Sequence, residues 1–464
     1  MVGISSYSTY LPRYRLRRAS VASAWGTRAA AGAKAVMNFD EDALTMGYMA
    51  AWRALGSASA DINPDALYFA STTSPYWQRS LASFIAAACD LPPETETADF
   101  ASSLRAATCA LAAAVNAVKS GSNRRVLVVA ADAREGAPES DEEQVFADAA
   151  AAIVIGDSGV IAELLARVSR SDDFLDEWRR ERDAYVNTFA SKFSISRGYE
   201  AGTVEAGQQL LNKAGVKPQE ITRVALFSPD GKAHLGAAKK LGFSPEQVED
   251  IDFAGIGITG AAMPLFLLAQ SLNRAKAGDL ILVISYGDGA DALLFRATDE
   301  IDRRPSPLLA KAPRPLEYPS YQIYRKLRDW TKNEEGAQIS NVLYEKEEPQ
   351  NVRLHGTRCS RCGAVQFPRT KVCQNCRSSD GLVEVPLSRR GHIFTFTRDY
   401  LYDAPVKPTA IAVIDLEGGG RFQCQMTDVE ESEIEIGLAV ELTLRRMKEG
   451  GSMHHYYWKC RPVE

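Results

Sequence analysis

The feature that most constrains the fold of this chain is a repeat. A short apolar run, ALYFAS from Ala66 to Ser71, precedes a helical run, SLRAATCALAAAVNAVKSG, and two further apolar runs, RRVLVVAAD and AAAAIVIGD. The order returns downstream as RVALFSPDG from Arg223, TGAAMPLFLLAQSL from Thr259 to Leu272, and DLILVISYGDGADALLF. The offset from Ala66 to Val126 nearly equals that from Arg223 to Ile281. Four elements recurring in one order at matched spacing predict an internal duplication of an α/β unit over residues 1–300. Unbroken apolar strands between Ala-rich helices predict a layered α/β fold.

The texture changes near Arg303. RRPSPLLAKAPRPLEYP, Arg303 to Pro319, holds five prolines, which exclude a regular helix or a central strand and predict an extended linker. The following SYQIYRKLRDWTKN predicts one short amphipathic helix with Ile323, Leu327 and Trp330 on one face. Linker and helix together occupy 301–350. Beyond them, Gly391–Thr397, Thr409–Leu416, Arg421–Met426 and Val440–Arg446 read as short strands rich in Val, Ile, Phe and Thr, with a Gly418–Gly420 turn. Strands without a long helix predict a small barrel over 381–464. EWRRERDAY, Glu177 to Tyr185, reads as a charged helix with a solvated face.

Between linker and barrel, over 351–380, lies RCSRCGAVQFPRTKVCQNC. Two CxxC pairs on tight turns bring Cys359, Cys362, Cys373 and Cys376 tetrahedrally around Zn²⁺, with Gly363 suited to the first turn. Four thiolates leave no position for water, so the metal is expected to be structural. The other four of the eight cysteines are scattered, which speaks against a disulfide framework and for a reducing cytoplasm. The N-terminus MVGISSYSTYLPRYRLRR reads as mature protein. No stretch approaches the roughly 20 apolar residues of a membrane span. The 464 residues carry a formal net charge of -5, which disfavours nucleic acid as the main partner. Arg358, Arg361, Arg369, Lys371, Arg389 and Arg390 add local basicity without an aromatic stacking platform.

LHGTRCSRCGAVQFPRTKVCQNC, PLSRRGHIFTFT and YYWKCRPV resemble the zinc-ribbon and OB-fold domain found with acyl-CoA enzymes of the thiolase superfamily. FDEDALTMG, ASTTSPY, FASSLRAATCAL, VFADAAAAIVIG, FSPDGK, TGAAMP and SYGDGADALLF resemble the 3-hydroxy-3-methylglutaryl-CoA synthase branch of that superfamily. The resemblance implies a duplicated thiolase-like fold followed by a zinc ribbon and an OB barrel. It also implies CoA or acyl-CoA as ligand, and a C-terminal domain that sits between acyltransferase subunits and helps hold CoA thioesters.

The same resemblance locates missing chemistry. The family's nucleophilic Cys falls on Leu104, its general acid/base Glu near Thr73, its His near Ser228 and its Asn on Ile258. Cys109 and His234 are the available substitutes. Cys109, however, lies five residues past Leu104 and so faces about 140° away on a helix. Its other reading is a small core residue, and that of His234 is a surface residue of a helix. Ser102 and Ser103 are expected to cap the following helix, and Asp288 to make a tight turn. Arg105, Lys232, Lys239 and Lys240 are the candidate CoA-phosphate contacts, with solvated surface charge as the alternative. The sequence therefore points to a synthase-like subunit without its own nucleophile, in a homo- or hetero-oligomer with a thiolase-type partner. The alternative is an acyltransferase with relocated catalytic residues.

Overall fold

A computed structural model describes residues 1–56, 63–181, 183–189, 192–303, 312–325, 340–402, 404–447 and 453–463. They form two compact units. The first comprises Met1–Met37, Asp42–Ala86 and Pro93–Tyr321, and the second Asn38–Glu41, Ala87–Pro92 and Gln322–Glu464.

The first half of the larger unit runs β1 (Gly3–Tyr10), β2 (Tyr14–Arg17), α1 (Arg18–Trp25), β3 (Ala33–Val36), α2 (Ala43–Gly56), β4 (Ala66–Ala70), α3 (Leu81–Ala88), β5 (Glu96–Phe100), α4 (Ala106–Ser120), β6 (Arg125–Ala133), α5 (Asp141–Val145) and β7 (Asp148–Gly156). The second runs β8 (Ala162–Ser171), β9 (Glu177–Trp178), β10 (Asn187–Thr188), α6 (Ala201–Ala214), β11 (Arg223–Leu226), α7 (Ala233–Leu241), α8 (Met263–Arg274), β12 (Leu280–Tyr286) and β13 (Gly289–Ala297). Nine strands make one sheet in the order β11-β12-β13-β8-β1-β7-β6-β4-β5. Its halves, β1-β7-β6-β4 and β8-β13-β12-β11, repeat the same pairing: antiparallel, antiparallel, parallel. They meet where β1 pairs with β8 at Gly3↔Glu163 and Ile4↔Ala162. The duplication expected from the sequence is thus the architecture.

Helix α2 covers one half-sheet and α6 the other, while α4 and α8 pack on each other between them. Burial on both faces explains why β6, β7 and β12 are apolar almost throughout, with Val126–Ala131 and Ala149–Ile155 at 0% exposure. The Ala-rich composition of α4 lets it lie close to β4, β6 and β7.

In the linker, Arg314–Leu316 forms β14, an edge strand parallel to β2. An edge tolerates Pro315, whose missing N–H is not needed by a neighbour. The expected amphipathic helix appears as α9 (Tyr318–Tyr324), which contains Ile323; Leu327 and Trp330 lie outside the described residues. No described residue of Glu177–Tyr185 is helical. Trp178 packs on Phe189 across the β9/β10 ribbon, ring centroids 4.7 Å apart, and Arg180 bonds Asp183 in a turn that diverts the chain.

The smaller unit contains α10 (Asn341–Asn351), a ribbon of β15 (His355–Cys359), β16 (Val365–Gln366) and β17 (Leu382–Pro386), and a five-stranded barrel. The barrel strands are β18 (Arg390–Asp399), β19 (Thr409–Leu416), β20 (Arg421–Gln425), β21 (Ala439–Arg446) and β22 (Tyr456–Pro462), in the order β20-β19-β18-β21-β22. A parallel bridge between Met426 and Cys460 nearly closes it. Strand β22, unread in the sequence, carries the fully buried Trp458, whose Nε1 donates to Asn351 O at 2.9 Å.

Residues Asn38–Glu41 belong to this unit through buried charge. Asp40, Glu41 and Asp428 meet Arg445, Lys459 and Arg461, with none more than 6% exposed. Lys459 Nζ lies 2.9 Å from Asp40 Oδ2, and Asn38 Nδ2 donates to Thr427 and Asp428.

Candidate functional site

The four ribbon cysteines converge as expected. Two tight turns present them: Gly363 N–H donates to Cys359 O at 2.8 Å, and Arg377 N–H donates to Cys373 O at 3.0 Å. Gly363 takes the left-handed backbone at φ +75°. In the second turn Arg377 takes it, at φ +63°. The Sγ atoms of Cys359 and Cys376 lie 3.6 Å apart, as do those of Cys362 and Cys373, and all four lie within 4.8 Å. Tetrahedral Zn²⁺ with Zn–S bonds of about 2.3 Å requires S···S edges of about 3.8 Å, so the donor set fits zinc. The crowded sulfurs titrate apart: the Ala364 backbone N–H lowers the Cys362 thiol, while bonds from the other three sulfurs leave Cys376 raised, as expected of thiols that share protons until a metal displaces them. The four sulfurs are a structural zinc site, closed to substrate.

Four positions fall on or near those that the sequence resemblance assigns to condensing chemistry. Leu104 precedes α4, half-buried against the β12–β13 turn. A Cβ on Gly287 would stand 2.9 Å from the Leu104 Cβ, so glycine is required there. Thr73 Oγ1 donates to Asp132 at 3.1 Å and accepts from Ala133 N–H. Ile258 is buried, its backbone paired with Val145 and Ala147. Ser228 is buried and donates to Asp230 O, while its Oγ lies 3.2 Å from His234 Nδ1. No thiol, carboxylate, imidazole or amide occupies any of the four.

Asp132, which the sequence reading passed over, organises this region. Its carboxylate is fully buried and accepts from the hydroxyls of Ser71, Thr72 and Thr73 and from the N–H groups of Thr72 and Ala261. A carboxylate at the end of the apolar run RVLVVAAD was the available signal, since a buried charge demands partners. Arg134, two residues on, is buried over the Phe146 ring at 4.0 Å and pairs with Glu177. Burial lowers its pKa to about 10.

Cys109 is half-buried in α4 and borders a cavity of about 260 Å³ walled by Ala112, Ala113, Val168 and Leu293. Its Sγ lies 3.7 Å from Asp291 Oδ2. Burial first, then the Asp291 charge, pushes the thiol up. That is opposite to what activates a nucleophile. His234 is in α7 as expected but is buried, not on the surface; burial lowers its pKa. No hydrogen bond among the described residues joins it to Cys109.

Arg105 is spent on the fold. Its guanidinium donates to Gly287 O at 2.6 Å, to Asp288 O, Arg170 O and Asp291 Oδ1 at 3.1 Å each, and to Ser169 Oγ at 3.4 Å. Lys232, Lys239 and Lys240 are exposed around α7. Lys240 pairs with Glu200 at 2.9 Å, and the other two make no ion pair among the described residues. Ser103 Oγ accepts from Arg105 N–H and donates to Gly287 O, so it serves the turn before α4. Asp288, at φ +49°, makes the turn expected of it.

Comparison with known proteins places these observations. Residues 211–296 match the family described as 3-oxoacyl-[acyl-carrier-protein] synthase III C terminal. Residues 349–382 match the ChsH2 rubredoxin-like zinc ribbon domain, and residues 384–445 the ChsH2 C-terminal OB-fold domain. Hydroxymethylglutaryl-CoA synthase of Methanopyrus kandleri is 33% identical over 342 residues, 70% of this chain and 97% of the relative. That of Picrophilus torridus is 32% identical over 71% of this chain and 97% of the relative. The fold matches a crystal structure of HMG-CoA synthase complexed with CoA at TM-score 0.62, with 20% identity, over 73% of this chain and 94% of that one. It also matches 3-oxoacyl-[acyl-carrier-protein] synthase III from Aquifex aeolicus at TM-score 0.58, with 23% identity, over 64% of this chain and 100% of that one. No helix among the described residues is long and apolar enough to cross a membrane. With a duplicated synthase fold aligned over nearly the whole length of such relatives and a zinc-ribbon OB module after it, the chain belongs to the hydroxymethylglutaryl-CoA synthase family.

Proposed function

We propose that this chain is a synthase-fold subunit of an acyl-CoA thiolase or acyltransferase complex, serving as scaffold and CoA-thioester binder for a thiolase-type partner that supplies the reactive Cys. The sequence resemblance carries the reading: by it the family's nucleophile and Asn fall on Leu104 and Ile258, and its acid/base Glu and its His fall near Thr73 and Ser228. A fold without those groups cannot stabilise the transition state of a Claisen condensation. It can still shape a tunnel, bind a CoA tail and hold a partner in register. The reading includes an oligomer, homo- or heteromeric, in a reducing cytoplasm that keeps the four zinc thiolates and the scattered thiols reduced. The relatives' names and the CoA in the related crystal structure support CoA thioesters as the ligand class.

The test is turnover. The purified chain alone is expected to convert neither acetyl-CoA nor acetoacetyl-CoA, and to raise turnover when combined with a thiolase recovered from its native complex. Turnover by the chain alone, abolished in Cys109→Ala, would replace this reading with that of an acyltransferase whose catalytic residues have moved.

A further inference from the structure

Within the smaller unit, residues Ala87–Pro92 are held by three cationic side chains. Arg389 donates to Ala88 O. Arg353 donates to Leu91 O at 2.8 Å and to Asp90 Oδ1 at 3.3 Å, its Nε steadied by Glu348. The third arm is His355 on ribbon strand β15, with Nε2 2.9 Å from Asp90 Oδ1 and Nδ1 2.7 Å from Glu384 Oε1. Glu384 is on β17 and also receives Arg369. Both ring nitrogens therefore face carboxylates. Only an imidazolium donates from both; a neutral ring carries one N–H, and its other nitrogen then points a lone pair at a carboxylate.

We infer that His355 is a protonation-dependent latch that fastens residues 87–92 to the zinc ribbon while its ring is protonated and releases that arm as rising pH removes the proton. The charges facing the ring are Asp90 and Glu384, with Arg353, Glu348 and Arg369 behind them, and the two carboxylates outweigh the cations at contact distance. Hydrogen bonding to Asp90 is the largest influence on the ring and raises its pKa above the ordinary 6.5, against the opposing pull of burial. For Glu384, burial pushes the carboxyl up, but bonds from His355 and Arg369 outweigh it and leave its pKa below the ordinary 4.5. A raised histidine pKa gives stability that is complete below the unfolded value and lost as pH rises through the folded one. A lowered Glu pKa gives stability that is lost only as pH falls through its folded value. The latch is thus closed from mildly acidic pH up to the folded pKa of His355. The anchored segment runs directly into β5, and β5 into the turn that carries Leu104.

The experiment uses the full chain with zinc bound. The ¹³Cε1 resonance of His355, identified by its loss in His355→Gln, is titrated, and amide exchange of residues 87–92 is followed over the same pH range with the intrinsic pH dependence removed. Expected are a His355 pKa above 6.5, a fall of about half a unit or more in Glu384→Gln, and a loss of protection in 87–92 as pH rises through the wild-type pKa. Each unit by which that pKa exceeds 6.5 corresponds to about a tenfold change in the latched-to-open ratio. In His355→Gln, protection of the segment is expected to be flat with pH. A folded pKa at or below 6.5, or the same pH dependence in His355→Gln as in the wild type, would overturn the inference.

Discussion

Leu104 is where an active-site thiol would be expected to stand, at the turn before α4. Restoring a thiol there tests how much else is missing. In Leu104→Cys the new group sits at a helix N-terminus, which lowers a thiol pKa, yet Thr73 and Ser228 still supply no acid or base. Each general acid–base contribution is worth roughly 10²–10⁴-fold. Leu104→Cys is therefore expected to gain thiol reactivity but no condensing turnover, measured as CoA release from acetyl-CoA with acetoacetyl-CoA. Condensation restored by this single change would show that a base survives nearby. Cys109 is poorly placed to fill the gap, because burial and then Asp291 oppose its thiolate, and Asp291 already takes Thr108 Oγ1 at 2.7 Å and Ser169 Oγ at 2.6 Å.

At the scale of elements, the ribbon depends on its metal. It has three short strands, one of them of only two residues, and little core beyond Cys359 and Cys373. Structural zinc contributes about 10 kcal/mol or more to folding in comparable small units. Cys373→Ser, which removes a buried ligand, is expected to drop bound zinc from one per chain to none by elemental analysis. It should also expose the amides of residues 355–386 to rapid exchange. Full zinc retention in that variant would contradict the assignment. Which elements the sequence revealed follows from how they are stabilised. The repeat was legible because strands buried on both faces must be apolar, and the ribbon because metal chemistry fixes ligand spacing. The run from Glu177 misled because its described residues are held by partners outside it, Trp178 by Phe189 and Glu177 by Arg134, which outweigh helical charge patterning. Strand β22 was not read as a strand because YYWKCRP mixes apolar and charged residues, and its Lys459 and Arg461 are buried against carboxylates distant in sequence.

Those distant partners set a large expected stability effect in the smaller unit. Asp40 and Glu41 lie about 400 residues before Arg445 and Lys459, and no local pattern announces that they meet. Arg445→Met would leave Asp40, Glu41 and Asp428 buried with one cation fewer. Breaking such a buried network by removing one member costs about 3–5 kcal/mol, read as a lower denaturant midpoint at unchanged slope. The exposed pair Arg421–Asp415 is the internal control, since Arg421→Met should leave the denaturant midpoint nearly unchanged. Equal losses from the two variants would mean that the buried cluster adds nothing to the fold.

The central claim, a synthase fold that binds CoA thioesters without attacking them, is tested most directly by covalent labelling. The purified chain is incubated with radiolabelled acetyl-CoA and denatured in acid, the label on protein is counted, and CoA binding is measured in parallel by equilibrium dialysis. The account predicts CoA binding with no acyl label on the protein. Stoichiometric label, mapped to Cys109 or to a serine, would contradict it and make the chain an enzyme with a relocated nucleophile.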